Sequence, residues 1–95
     1  MAIEYTMQAG GNIFADLHLQ DAENLKLRAV LMQEVKRYVE GSGLTQTDAA
    51  RLLGTTQPKL NDILKGDIGK CTIDRLVNML AAVDVHISLL VARTA

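Results

Sequence analysis

Residues 45–66 read TQTDAARLLGTTQPKLNDILKG, and this stretch decides the fold. Thr45 is a good helix N-cap, and Asp48 three residues later is nearly a capping box and suits the positive end of the helix dipole. The helix it opens runs through Ala49, Ala50, Leu52 and Leu53 to Gly54, a natural C-terminal stop. Thr56 caps a second helix, and Pro58 falls in its first turn, where a missing N–H costs little. Leu60, Ile63 and Leu64 give that helix an inward face before Gly66 ends it. A connection of about three residues forces the two helices to cross steeply rather than lie antiparallel. Ala50 stands at the expected crossing point, where a larger side chain would push the helices apart, and Leu53, Leu60 and Ile63 seat the second helix on the first.

A small residue, a glycine four positions later and apolar residues at fixed distances beyond it are the steric requirements of a helix-turn-helix. In that arrangement the second helix enters the major groove of a DNA duplex and its first residues reach base edges. With Leu60 and Ile63 turned inward, Lys59, Asn61 and Asp62 lie on the outward face.

Working outward, Asp21 opens a longer helix in which Leu27, Val30, Leu31, Val35, Tyr38 and Val39 recur at intervals of three and four, ending at Gly41-Ser42-Gly43. Thr72 caps a helix carrying Ile73, Leu76, Val77, Leu80 and Val83, with Met32 and Met79 as core filler among the leucines. The tail Val85–Val91 is β-branched and largely alternating, which predicts a strand. At the start, Ile3–Met7 alternates at period two, and Asn12 caps a single turn bearing Ile13, Phe14 and Leu17. The expected organisation is an arm over 1–20, a helix-turn-helix unit over 21–84 with its motif at 45–66, and a strand over 85–95. The fold class is mainly α: a small bundle of about five helices with a C-terminal β-strand.

Composition narrows the function. With 95 residues, 48% of them hydrophobic, the chain builds one small core and gains from association. Tyr5, Phe14 and Tyr38 are its aromatic residues, too few for a surface that stacks single-stranded bases. Cys71 has no cysteine partner within the chain, and with His18 and His86 it does not complete a standard zinc site, so no metal or other cofactor is expected. Neither a nucleophile elbow nor a glycine-rich phosphate loop is present, which argues against an enzyme. No apolar run is long enough to cross a membrane, and a cytoplasmic location is expected. The net charge of −1 is unevenly distributed. Lys26 and Arg28 face Glu4, Asp16, Asp21, Glu23 and Glu34 in residues 1–35, whereas bases exceed acids over 36–75. A duplex-facing surface therefore belongs in the middle, and the acidic first third suits a basic partner.

Leu44-Thr45-Gln46, Ala49-Ala50, Leu53-Gly54 and Thr56-Gln57 together resemble the helix-turn-helix of phage repressors, the XRE type (lambda-repressor-like). With GNIFADLHLQDAENLKLRAVL before the motif and VHISLLV after it, residues 11–92 resemble the small HigA-like antitoxins. The resemblance implies a dimeric repressor bound to its own palindromic operator and, in many relatives, neutralising a RelE-like mRNA-cleaving toxin. It further implies that Gln46 contacts phosphate and that Thr56 and Gln57 begin the reading helix, where glutamine bonds adenine N6 and N7. On the same resemblance Lys59 is expected to reach guanine or phosphate, and Asn61 to read adenine or bond phosphate. Asp62 departs from the neutral polar residue common there, and either accepts from cytosine N4 or repels phosphate. Arg51 and Lys65 are candidate backbone contacts.

One reading helix covers too few base pairs for specificity, so a homodimer is expected. Its glue is the C-terminal strand, with Val85, Ile87, Leu89 and Val91 pairing across a two-fold axis, because an apolar edge with no second strand would stand exposed. The rival is pairing with Ile3–Met7. Two other functions fit the same chain: an XRE-type regulator without a toxin, and a protein-interaction module that has lost DNA binding, to which the pI near 6.0 and Asp62 lend support.

Overall fold

A computed structural model describes residues 2–8 and 22–92. Its elements are strand β1 (Ala2–Gln8), helices α1 (Ala22–Ser42), α2 (Gln46–Leu53) and α3 (Gln57–Leu64), a 3-10 turn (Ile68–Lys70), helix α4 (Ile73–Ala82) and strand β2 (His86–Ala92). The expected mainly helical bundle with a C-terminal strand is what the chain forms. Asp21 and the turn read at Asn12–Leu17 lie outside the described residues.

The helix ends follow the local chemistry. Thr45, Thr56 and Thr72 each occupy an N-cap with extended backbone, and each hydroxyl accepts the N–H three residues on, from Asp48 (3.2 Å), Lys59 (3.4 Å) and Arg75 (3.3 Å). Gly54 closes α2 at φ 73°, in the left-handed region where a side chain is strained. Between α4 and β2 the same conformation falls to Asp84 at φ 62°, a residue type that tolerates it better than most.

One core joins all four helices. Leu27, Leu31, Met32 and Val35 of α1 meet Ala49, Ala50 and Leu53 of α2, Leu60 and Ile63 of α3, and Leu76, Met79 and Leu80 of α4. Val39 and Tyr38 pack at its margin rather than inside it. Leu52 is turned away and is 48% exposed, because at 100° per residue it cannot share the inward face of Ala49, Ala50 and Leu53. Cys71 is buried, and that burial pushes its thiol above the ordinary range; Arg28 and Arg75 oppose the shift, and Asp62 and Asp67 add to it. Its buried position and raised thiol suit a packing group.

The strands correct the expectation that β2 lacks a second strand in its own chain. β1 lies parallel to β2, in register from Ala2 opposite His86 to Gln8 opposite Ala92, which is the rival pairing with Ile3–Met7. The strand starts one residue later than read, because the Val85 N–H turns back to Leu80 O (2.9 Å) and closes the end of α4. In this two-stranded sheet Ile87 packs against the core margin, while the consecutive residues Leu89 and Leu90 are 48% and 62% exposed. Successive side chains point to opposite faces, so both faces carry exposed leucine.

Leu60 is completely buried at the meeting point of the helices. Leu60→Ala is expected to lower the unfolding free energy by about 2–5 kcal/mol, measured by urea denaturation.

Candidate nucleic-acid interface

α2 and α3 are eight residues each, too short to persist alone, and they are held by their shared apolar seam. Ala49 and Ala50 are buried on α2, and Leu60 and Ile63 are buried on α3. The turn between them is tied down by Gly54 N–H to Arg51 O (3.1 Å) and Thr55 N–H to Ala50 O (2.9 Å). Ala50 thus supplies both the small side chain at the seam and a carbonyl that fixes the turn.

With α3 seated by Leu60 and Ile63, and Leu64 packed at the core margin, its polar side chains are left toward the surface. Gln57, Pro58 and Lys59 are exposed in the first turn, behind Thr56 at the cap. Asn61 and Asp62 are half-buried, and Lys65 is exposed where the helix ends. The structure therefore brings Thr56, Gln57, Lys59, Asn61, Asp62 and Lys65 together on one short element. Gln46 is half-buried as the first residue of α2, one position after its cap. Arg51 lies on the exposed side of α2, where its guanidinium reaches Asp48 Oδ1 at 3.4 Å. That pair joins neighbours on one helix and adds only a few tenths of a kcal/mol, about 0.3–0.5, to stability.

Charge on this side is locally positive. Among the described residues, Lys59 and Lys65 enter no ion pair, which leaves both ammonium groups available to an anionic partner. Asp62 is not isolated: Lys70 Nζ stands 4.0 Å from its Oδ1 and 3.5 Å from Asp67 Oδ2. Sequence reading missed Lys70, because the two residues meet only through the path of the 3-10 turn. It also missed Arg28, whose Nη1 donates to Ile68 O (2.9 Å) across forty positions of sequence and fixes that turn to α1. Among the described residues, no cluster of histidine, cysteine or carboxylate side chains is placed to hold a metal ion. No helix of the described residues is long and apolar enough to cross a membrane.

Two short capped helices, a left-handed glycine turn and an outward polar face on the second helix define a helix-turn-helix protein. The chain belongs to that family: the model of the helix-turn-helix domain matches residues 13–92, which takes in all four helices and the C-terminal strand. The fold is thus that of a DNA-binding domain. No curated protein matches the chain in sequence.

The geometry of the turn gives a direct test. A Cβ added at Gly54 meets no atom within 4 Å, so the cost of Gly54→Ala is that of the backbone conformation alone, about 1–2 kcal/mol. Ala50→Leu overpacks the seam and is expected to cost about 1–3 kcal/mol. Both are read as shifts of the urea midpoint at unchanged slope.

Proposed function

We propose that the protein is a sequence-specific repressor that binds a palindromic operator as a homodimer, with its DNA-binding unit in residues 21–84. The observation that carries this reading is the outer surface of α3, where Gln57, Lys59 and Lys65 are exposed while Leu60 and Ile63 hold the helix to the core. Glutamine at the first helical position suits adenine N6 and N7, and the two lysines suit guanine or phosphate. Gln46 and Arg51 stand on α2 as phosphate contacts, the former at a helix N-terminus that favours anions.

Dimerisation is supported by the sheet. A two-stranded sheet is marginal in water, and parallel strands are ordinarily covered on both faces. Here Leu89 and Leu90 are exposed on opposite faces. A second copy joined through β2, with Val85, Ile87, Leu89 and Val91 at or near the junction, covers this surface and sets the distance between the two reading helices.

The finer reading is that the repressor is the antitoxin of a toxin–antitoxin pair. It rests on the resemblance of residues 11–92 to the HigA-like group and on the acidic balance of residues 1–35, which suits a basic toxin. Co-expression with the product of the neighbouring gene separates it from a regulator without a toxin: the antitoxin relieves that product's toxicity and co-purifies with it.

DNA reading is tested by binding to the duplex upstream of the gene against a scrambled duplex, across several salt concentrations. The expected result is a preference for the upstream duplex and a linear fall of log K with log salt. Lys59→Ala and Asn61→Ala each weaken it, by about 1–3 kcal/mol where the contact is to a base edge. Equal binding to both duplexes at every salt concentration favours the interaction module, the reading for which Asp62 on α3 speaks.

Leu89→Glu places a charge on exposed sheet surface that the monomer does not bury. The expected outcome in sedimentation is a shift from dimer to monomer with the helical spectrum retained, together with weaker operator binding. An unchanged dimer overturns the strand-mediated arrangement.

A further inference from the structure

Asp62 poses a problem for a DNA-reading helix, since a carboxylate beside a duplex faces a dense row of phosphates. In the structure it is held by a second element. Lys70 Nζ lies 4.0 Å from Asp62 Oδ1 and 3.5 Å from Asp67 Oδ2. The ammonium is brought there by backbone that is anchored at several points. The Asp67 N–H donates to Asp62 O (3.0 Å), the Lys70 N–H to Asp67 O (3.1 Å), and Arg28 Nη1 to Ile68 O (2.9 Å), while the next residue, Cys71, is buried. The Asp62 side chain is 30% exposed and that of Lys70 is 63% exposed, so the pair sits at the surface with the carboxylate partly covered by the turn. Exposed pairs of this kind contribute little to folding, and stability alone gives no reason for the arrangement.

We infer that Lys70 is a positioning residue for base reading by Asp62: its ammonium, shared with Asp67, offsets part of the carboxylate's charge and draws it toward the 3-10 turn, so that Asp62 accepts from cytosine N4 in the major groove instead of repelling the phosphates. This inference rests on the proposed DNA binding by α3. A carboxylate whose charge is partly offset is an acceptor matched to the one exocyclic donor that cytosine presents in that groove. The same carboxylate without Lys70 adds a negative charge against the duplex, so the two side chains act as a unit.

The test is a double-mutant cycle on DNA chosen by the protein itself. The wild-type chain selects duplexes from a randomised pool, and affinity for the selected duplex is then measured for Asp62→Asn, Lys70→Met, Lys70→Arg and the double variant Asp62→Asn/Lys70→Met. The selected duplex is expected to carry a cytosine at one position of each half-site, and replacing it with thymine weakens the wild type about tenfold while leaving Asp62→Asn nearly indifferent. Lys70→Met weakens binding about tenfold when Asp62 is present and much less in the Asp62→Asn background, and Lys70→Arg restores most of the loss. Thermal midpoints of all four variants stay within a few degrees of wild type, as expected for an exposed pair. An equal loss from Lys70→Met in both backgrounds, with the salt slope reduced by about one, overturns the inference and makes Lys70 an independent phosphate contact. So does the absence of any cytosine preference in a wild type that selects DNA. A wild type that selects no duplex at any salt concentration instead overturns DNA reading by α3, an outcome distinct from the other two.

Discussion

The seam between α2 and α3 is the constraint on which the rest of the molecule depends. Ala50 and Gly54 are chosen by geometry: one leaves room for the facing helix, and the other adopts the φ of 73° that turns the chain toward it. Neither eight-residue helix has the length to persist alone, so each exists because Leu53, Leu60 and Ile63 close on one another and on α1 and α4. The outward face of α3 is a by-product of that closure. With Leu60 and Ile63 buried, Lys65 lies across the helix from them, Gln57 and Lys59 flank them in the first turn, and all three are exposed.

Electrostatics acts locally on that surface. The chain as a whole carries a net charge of −1, which opposes attraction to a polyanion at long range. At physiological salt, charges separated by more than about 8 Å are largely screened, so the few groups on and around α3 matter more than the total. Asp48 is paired with Arg51, and Asp62 shares Lys70 with Asp67, while Lys59 and Lys65 enter no ion pair among the described residues.

The two ends of the chain meet in a parallel pair, β1 beside β2, whose exposed leucines stand outside the single helical core. Parallel pairing demands a long crossover between the strands, and here the whole helical bundle serves as that crossover. The sheet is therefore tied to the bundle at the α4–β2 corner, where Val85 and Asp84 turn back onto the last carbonyls of α4.

The amino-acid sequence by itself determined the four helices, the C-terminal strand and the motif, because their signals act within a few residues. Threonine caps at 45, 56 and 72, glycine at 54 and 66, and the three-and-four spacing of leucine, isoleucine and valine each specify a local backbone choice, and each is realised. Of the residues that spacing placed outward on α3, Lys59 is exposed while Asn61 and Asp62 are half-buried, since spacing alone does not show what covers the flank of a helix. Other features were decided only by tertiary structure: the pairing of Ala2 with His86, the bond from Arg28 to Ile68 O, the approach of Lys70 to Asp62, and the burial of Cys71. Each depends on where the chain goes between distant residues, and that path is set by the packing of four helices against one core, which no local pattern encodes.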